Sequence, residues 1–292
     1  VLQWVATQTD RWEPRYYLAL IHGSRNNRTA ALQWLREAGT PAYSGFYAAL
    51  AALDPSQALS HLRKGESLNP NQWRFGKLIS ERLIAEGKAK EALQTSTAYR
   101  TRFPNDFRLA MIHAKALLLN EQYAACARLL ATTNILPYEG ATEGRQLFRE
   151  AWLMQAVEAL AKGRTRDATE AIAQALTWPA NLGVGKPYPE DIDNRIELYL
   201  SGLCVNGAAR NKFMDQVLQP RSGMPALPLL EALALRQLGR GTEGEALLKE
   251  WASREPANAE AQWSLSCYLK KSELLLPRQT DYFRVMDRIA KL

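Results

Sequence analysis

The chain has 292 residues, 47% hydrophobic and 23% charged, with a net charge of +7. That composition excludes a disordered tract, and no apolar run reaches the ~20 residues of a membrane helix. Lys and Arg are interleaved with Asp and Glu, which describes a solvated surface rather than a concentrated nucleic-acid patch.

Residues 1–10 lack the basic start and apolar stretch of a signal peptide. No initiator Met stands first, so the chain is expected to be part of something longer. Cys126, Cys204 and Cys267 are far apart, and none forms a CxxC pair. Three scattered thiols argue against a disulfide framework and fit a reducing, cytoplasmic setting.

Taken in chain order, nearly every segment has apolar residues at helical spacing, and none shows the alternation of a strand. Tyr17, Leu20, Ala30 and Leu35 predict a weak first hairpin, and the stretch from Phe46 to Leu62 a second. The clearest unit starts at Trp73, with Gly76, Ile79, Ser80 and Leu83 on its first helix. Glu86-Gly87-Lys88 makes its turn, Ala92, Ser96 and Tyr99 follow, and Pro104 stops it. A shift of about 34 residues brings the pattern back. Phe107, Ala110, Ala114 and Leu117 form the first helix, Glu121 and Tyr123 the turn, and Cys126 and Leu130 the second helix.

Ile135 to Glu143, with Pro137, Tyr138 and Gly140, is expected to be a loop. Trp152, Ala156 and Ala159, the turn at Gly163, and Ala168, Ile172 and Ala175 repeat the hairpin, which ends at Pro179. The stretch 178–191 holds Trp178, Asn181, Lys186 and Tyr188 among three prolines and two glycines, a composition that forbids a helix. Asp191 or Asp193 then caps a helix that runs through Tyr199. Leu230, Leu233, Ala234, Gly241, Ala246 and Pro256 form a further copy. The last helix, 281–292, has Arg284, Asp287, Arg288 and Lys291 on its surface and is expected to cap the stack.

The residue types explain the period. Ala92, Ala114, Ala156 and Ala168 are small where two helix backbones must cross. Tyr99, Tyr123 and Trp152 fill gaps between neighbouring hairpins. Gly87 and Gly163 suit positive φ at a helix end, and proline terminates each unit. This grammar resembles the tetratricopeptide repeat. The resemblance implies an all-α fold, a right-handed α-α superhelix of helix hairpins, running as one continuous solenoid through 1–133 and 134–292.

A narrower resemblance rests on Trp178-Pro179, Asn181-Leu182-Gly183, Gly185-Lys186-Pro187 and Tyr199 with Gly202. It rests also on Glu13-Pro14-Arg15-Tyr16-Tyr17 and Gly39, Pro41, Tyr43, Phe46 and Tyr47. These segments resemble the C-terminal region of large bacterial YphG-like proteins, which pair a β-rich N-terminal region with a tetratricopeptide array. The resemblance implies a link to carbohydrate metabolism.

Searches for chemistry find no cofactor motif, no metal pair and no catalytic constellation. His22, His61 and His113 stand alone, without the paired spacing of a metal site. Gly183-Val184-Gly185-Lys186 resembles a phosphate loop but has the wrong glycine spacing, and Pro187 stands where Ser or Thr is needed. Glu143, Glu150 and Glu158 are spaced for a helix surface. The function expected is a non-catalytic scaffold.

First helices of stacked hairpins line the concave face. The expected peptide groove is therefore Arg74, Lys77, Arg108, Met111, Lys115 and Leu153, basic and then apolar. Arg and Lys there would hold an acidic or C-terminal segment. Glu81 and Ile112 replace the Asn residues of the two-carboxylate clamp that some tetratricopeptide proteins use. The expected partner is a protein or peptide, which includes the chain's own parent N-terminal region or another copy; membrane and nucleic acid are not expected. The alternative is an accessory region of a sugar-metabolism enzyme or a carbohydrate-binding protein, with Trp178 and Tyr188 as stacking residues.

Overall fold

The computed structural model describes residues 2–7, 10–137, 141–270, 276–278 and 280–292; Tyr138 and Gly140 of the expected loop lie outside them. Among the described residues there is no strand, and every α-helix falls where apolar residues recur at helical spacing. The residues form two compact units, 1–120 and 121–292.

The first unit contains α1 (Leu2–Thr7), α2 (Glu13–Ser24), α3 (Arg28–Glu37), α4 (Ser44–Leu53) and α5 (Ala58–Leu68). It continues with α6 (Trp73–Ala85), α7 (Ala89–Arg102) and α8 (Phe107–Leu119). α2 packs on α3, α4 on α5 and α6 on α7, while α8 lies against both α6 and α7. Leu62, Phe75, Ile79, Leu83, Tyr99 and Leu109 make one continuous core from α5 to α8, while Ala19, Leu35, Phe46 and Tyr47 form a separate cluster among α2, α3 and α4. The close crossing of α6 and α7 depends on Gly76: a Cβ there would lie 2.1 Å from Cγ of Tyr99. The Tyr99 hydroxyl then donates to Glu66 of α5 at 2.7 Å, which ties one hairpin to the next.

The second unit contains α9 (Tyr123–Thr132), α10 (Glu143–Ala161), α11 (Thr165–Ala175), α12 (Arg195–Leu203) and α13 (Gly207–Leu218). α14 (Pro228–Gln237), α15 (Gly241–Arg254), α16 (Ala259–Leu269) and α17 (Asp281–Ile289) follow. α10 packs on α11, α12 on α13 and α14 on α15. The first helices of these pairs also touch in series, α10 to α12, α12 to α14 and α14 to α16.

The small crossing residues Ala92, Ala114, Ala156 and Ala168 are all fully buried, as close helix approach requires. Gly87 and Gly163 hold the turns with φ of 73° and 68°. Two expectations change. In the α14–α15 turn the left-handed residue is Gly239, and Gly241 opens α15 instead. In α2, Tyr17 and Leu20 are exposed, and Leu18 and Ala19 are buried. The stretch Tyr16-Tyr17-Leu18-Ala19-Leu20 offers two apolar stripes, between which periodicity does not choose. Packing chooses: Tyr16 sits among Trp12, Tyr43 and Phe46, with ring centroids 5.7 to 6.2 Å away.

Candidate functional site

In the first unit, the groove candidates on α6 and α8 gather around one indole. The Arg108 guanidinium lies 3.7 Å and that of Arg74 5.0 Å from the Trp73 ring centroid. Asp106 caps α8, accepting from the amides of Arg108 at 2.9 Å and Leu109 at 3.3 Å. The same carboxylate accepts Nε of Arg108 at 3.1 Å and Nη2 at 2.7 Å. Burial works to raise the Asp106 pKa, but these hydrogen bonds outweigh it and hold the carboxyl below its ordinary value. Lys77 Nζ meets Glu81 one turn along α6 at 2.5 Å. Met111 and Lys115 are half-buried along α8. Arg74 and Arg108 are thus brought together, while the Lys77 and Arg108 charges are each met by a carboxylate a few residues away.

Leu153 belongs to the second unit, and there the site differs from the expectation. Leu153 and its neighbour Val157 are buried, not an open apolar patch. The terminal helix α17 does not simply cap the stack: it packs back on α10. Phe283, Val285, Met286 and Ile289 of α17 are buried, and the Phe283 ring meets Trp263 of α16 edge-on at 5.3 Å. Arg284, expected on the surface, donates from Nε and Nη2 to both carboxylate oxygens of Glu150, at 2.5 and 2.6 Å. Glu150, also expected on a helix surface, is 1% exposed. One turn on, Arg288 pairs with Glu121.

The face beneath α17 is a lattice of fork-shaped ion pairs. Arg149 of α10 donates to both oxygens of Glu197 of α12, each at 2.6 Å, and to the Asp193 carbonyl at 3.2 Å. Arg195 donates to Asp193 at 3.0 and 2.7 Å and to the Pro225 carbonyl at 2.7 Å, joining α12 to the turn before α14. Asp193 is thereby held below its ordinary pKa, although burial pushes it up; Arg195 is the main opposing influence. A cavity of ≈ 530 Å³ remains between this face and α17, lined by Arg149, Leu153, Ile196, Trp251 and Tyr282 among others.

The irregular loop is anchored rather than free. Asn181 donates to the carbonyls of Leu130 and Thr133 at 2.9 and 2.8 Å, closing the open end of α9. Its own carbonyl accepts from the Ile135 amide at 2.7 Å. Gly183, with φ of 73°, would place a Cβ 2.8 Å from the Ile135 carbonyl oxygen. Trp178 is half-buried with the Arg145 guanidinium 4.5 Å over its ring. Lys186 and Tyr188 are exposed at the loop tip. Asp193, not Asp191, supports the next helix, by accepting from the Arg195 amide at 3.1 Å.

Two features were not anticipated: the packing of α17 on α10, and Arg145 as a buried cation. Glu150 stands directly before the apolar run Ala151-Trp152-Leu153-Met154, which is a signal for a buried anion, whereas Arg145, between Gly144 and Gln146, carries no such signal. Cys126 needs no chemical role: burial pushes its thiol up to about 12, far from the reactive range.

This arrangement defines an all-α protein built of tetratricopeptide-type helix hairpins. No protein-family model matches the chain, and no curated protein matches it. Among solved structures, the chain is similar to a tetratricopeptide repeat protein from Parabacteroides merdae, with 12% identity and a TM-score of 0.54. That likeness covers 88% of this chain and 98% of the other. PilW, a type IV pilus biogenesis factor, is similar at 12% identity and a TM-score of 0.45, over 87% of this chain and 98% of that one. PilF of Pseudomonas aeruginosa is similar at 15% identity and 0.42, over 86% and 95%. At these identities the likeness to the Parabacteroides protein defines the fold and nothing more. Among the described residues, no helix is long and apolar enough to cross a membrane.

Proposed function

We propose that the chain is a non-catalytic scaffold whose second unit binds an amphipathic helix, a place filled in cis by α17. The supporting observation is the seating of α17 on α10. Its apolar stripe faces inward, and Arg284 donates from Nε and Nη2 to the two carboxylate oxygens of Glu150. This is the helix-in-groove mode, read as anchors three and four residues apart. The ligand this groove suits is basic and amphipathic, the opposite charge from an acidic peptide.

An acidic segment suits the first unit instead. Arg74 and Arg108 stand exposed beside Trp73, and the Lys77–Glu81 pair one turn away is of the weak, exposed kind that a ligand carboxylate can displace. Met111 and Lys115 extend that face along α8. In this reading the chain serves in the cytoplasm as the C-terminal interaction region of a larger YphG-like protein. The preceding region of that protein is its nearest partner.

The test of the helix groove uses the full chain. In Arg284→Glu, α17 is repelled by Glu150, and a labelled peptide of residues 281–292 is expected to bind saturably in trans. The unaltered chain, its groove filled, binds the peptide weakly. Absence of trans binding to the variant overturns the groove. For the first unit, Lys77→Glu with Arg108→Glu should weaken partner capture without unfolding; unchanged capture disposes of that face.

A further inference from the structure

A second cavity, of ≈ 460 Å³, lies in the second unit beside the anchored loop. Its wall includes Arg145 and Gln146 of α10, Trp178 and Lys186 of the loop, and Asn194 at the entry to α12. Arg145 is 5% exposed and forms no ion pair among the described residues. Nη2 donates to the Ala175 carbonyl at 2.6 Å, which closes the end of α11. Nε and Nη1 have no hydrogen-bond partner. A guanidinium with two N–H groups left over is not explained by its structural bond alone, because unsatisfied buried donors are costly.

We infer that this pocket is an oxyanion site, taking the carboxylate or phosphoryl group of a small ligand on Arg145 and Lys186, with Trp178 as an apolar shelf. The donors fit: a guanidinium presents a planar fork suited to a carboxylate or phosphate, and a lysine adds a point charge. Lys186 is exposed at the rim and makes no ion pair among the described residues. The carboxylates lining the pocket do not cancel this end. Glu197 is engaged by Arg149 and offsets only part of the burial of Arg145, and Asp193 is engaged by Arg195. Burial, with a smaller push from Arg149, lowers the Arg145 pKa to about 10 against the opposing pull of Glu197. Asn194 Oδ1 is a buried acceptor without a partner on the same wall, so a ligand that also carries a hydroxyl would fit better than a bare ion. The glycine-lysine string that fails as a phosphate loop thus contributes its lysine by a different geometry.

The experiment is a thermal-shift and calorimetric titration of the full chain with sodium phosphate, sodium acetate and sodium chloride at equal ionic strength. Saturable stabilisation by phosphate or by acetate, absent with chloride, is expected, and the salt that acts identifies the group bound. Arg145→Gln should abolish the response. Should that variant fold poorly, Lys186→Glu, on an exposed loop, should raise the Kd about tenfold, since it reverses a charge near the ligand. Equal responses to the three salts, or a saturable response that Lys186→Glu leaves unchanged, overturns the site.

Discussion

The two units are built from the same hairpin yet handle charge in opposite ways. In the first, the ion pairs of the groove candidates, Lys77–Glu81 and Arg108–Asp106, join residues four and two positions apart, and one partner of each is at least a third exposed. In the second, Arg149–Glu197 and Arg284–Glu150 join distant segments and are shielded from water. Glu197 and Glu150 are 3% and 1% exposed, with partners 48 and 134 residues away. Pairs of the first kind contribute about 0–1 kcal/mol and leave a surface open to exchange. Pairs of the second kind commit the surface, because removing one partner strands a buried charge. The same hairpin architecture therefore carries one face whose ion pairs are local and exposed, and one whose ion pairs are long-range and buried against α17.

The sharpest break of that contrast is Arg284→Met. It leaves Glu150 buried without its counter-charge and should cost about 3–5 kcal/mol, read by urea denaturation and by loss of amide protection in α17. Adding Glu150→Leu should recover most of the loss, which a purely apolar role for α17 would not produce.

Next comes Gly76→Ala in the first unit. With Cγ of Tyr99 only 2.1 Å from the added Cβ, α6 and α7 must separate, at a cost of about 1–3 kcal/mol in thermal unfolding. The second unit's helices should keep their protection in hydrogen exchange.

A pH effect follows from His113, half-buried on α8, with Nδ1 2.9 Å from the Ser96 hydroxyl. Burial, then Arg100, lowers its pKa below 6.5, so folding favours the neutral ring. Stability is then full above about pH 6.5 and falls as the pH drops below it, because the unfolded chain takes up the proton first. His113→Gln should flatten unfolding midpoints measured between pH 7 and 5, an effect confined to the first unit.

The smallest effect belongs to Glu121, which holds φ of 59° at the turn position where Gly87 and Gly163 stand in other repeats. Glu121→Gly relieves left-handed strain but breaks an exposed pair with Arg288. The two nearly cancel, and a change within about 1 kcal/mol is expected in the denaturation midpoint.

Local patterns carried the architecture. Positive-φ glycines at turns, alanines at helix crossings and prolines at hairpin ends are short-range requirements of close-packed helix pairs, and Gly87, Ala92 and Pro104 display them in the order they occur. They carried less of the site. Arg74 and Arg108 were legible because period alone puts them on first helices. The role of Asn181 was not, since capping α9 from 51 residues away leaves no local trace.

What the chain by itself determined is the helix hairpin and its repetition, since a 3.6-residue apolar period and small contact residues dictate how one helix meets the next. Only tertiary structure decided which way α17 turns, which stripe of α2 is buried and which charges lose their water. Those outcomes depend on burial and on pairing between distant segments, where Glu150 becomes a buried anchor because Arg284 arrives to meet it.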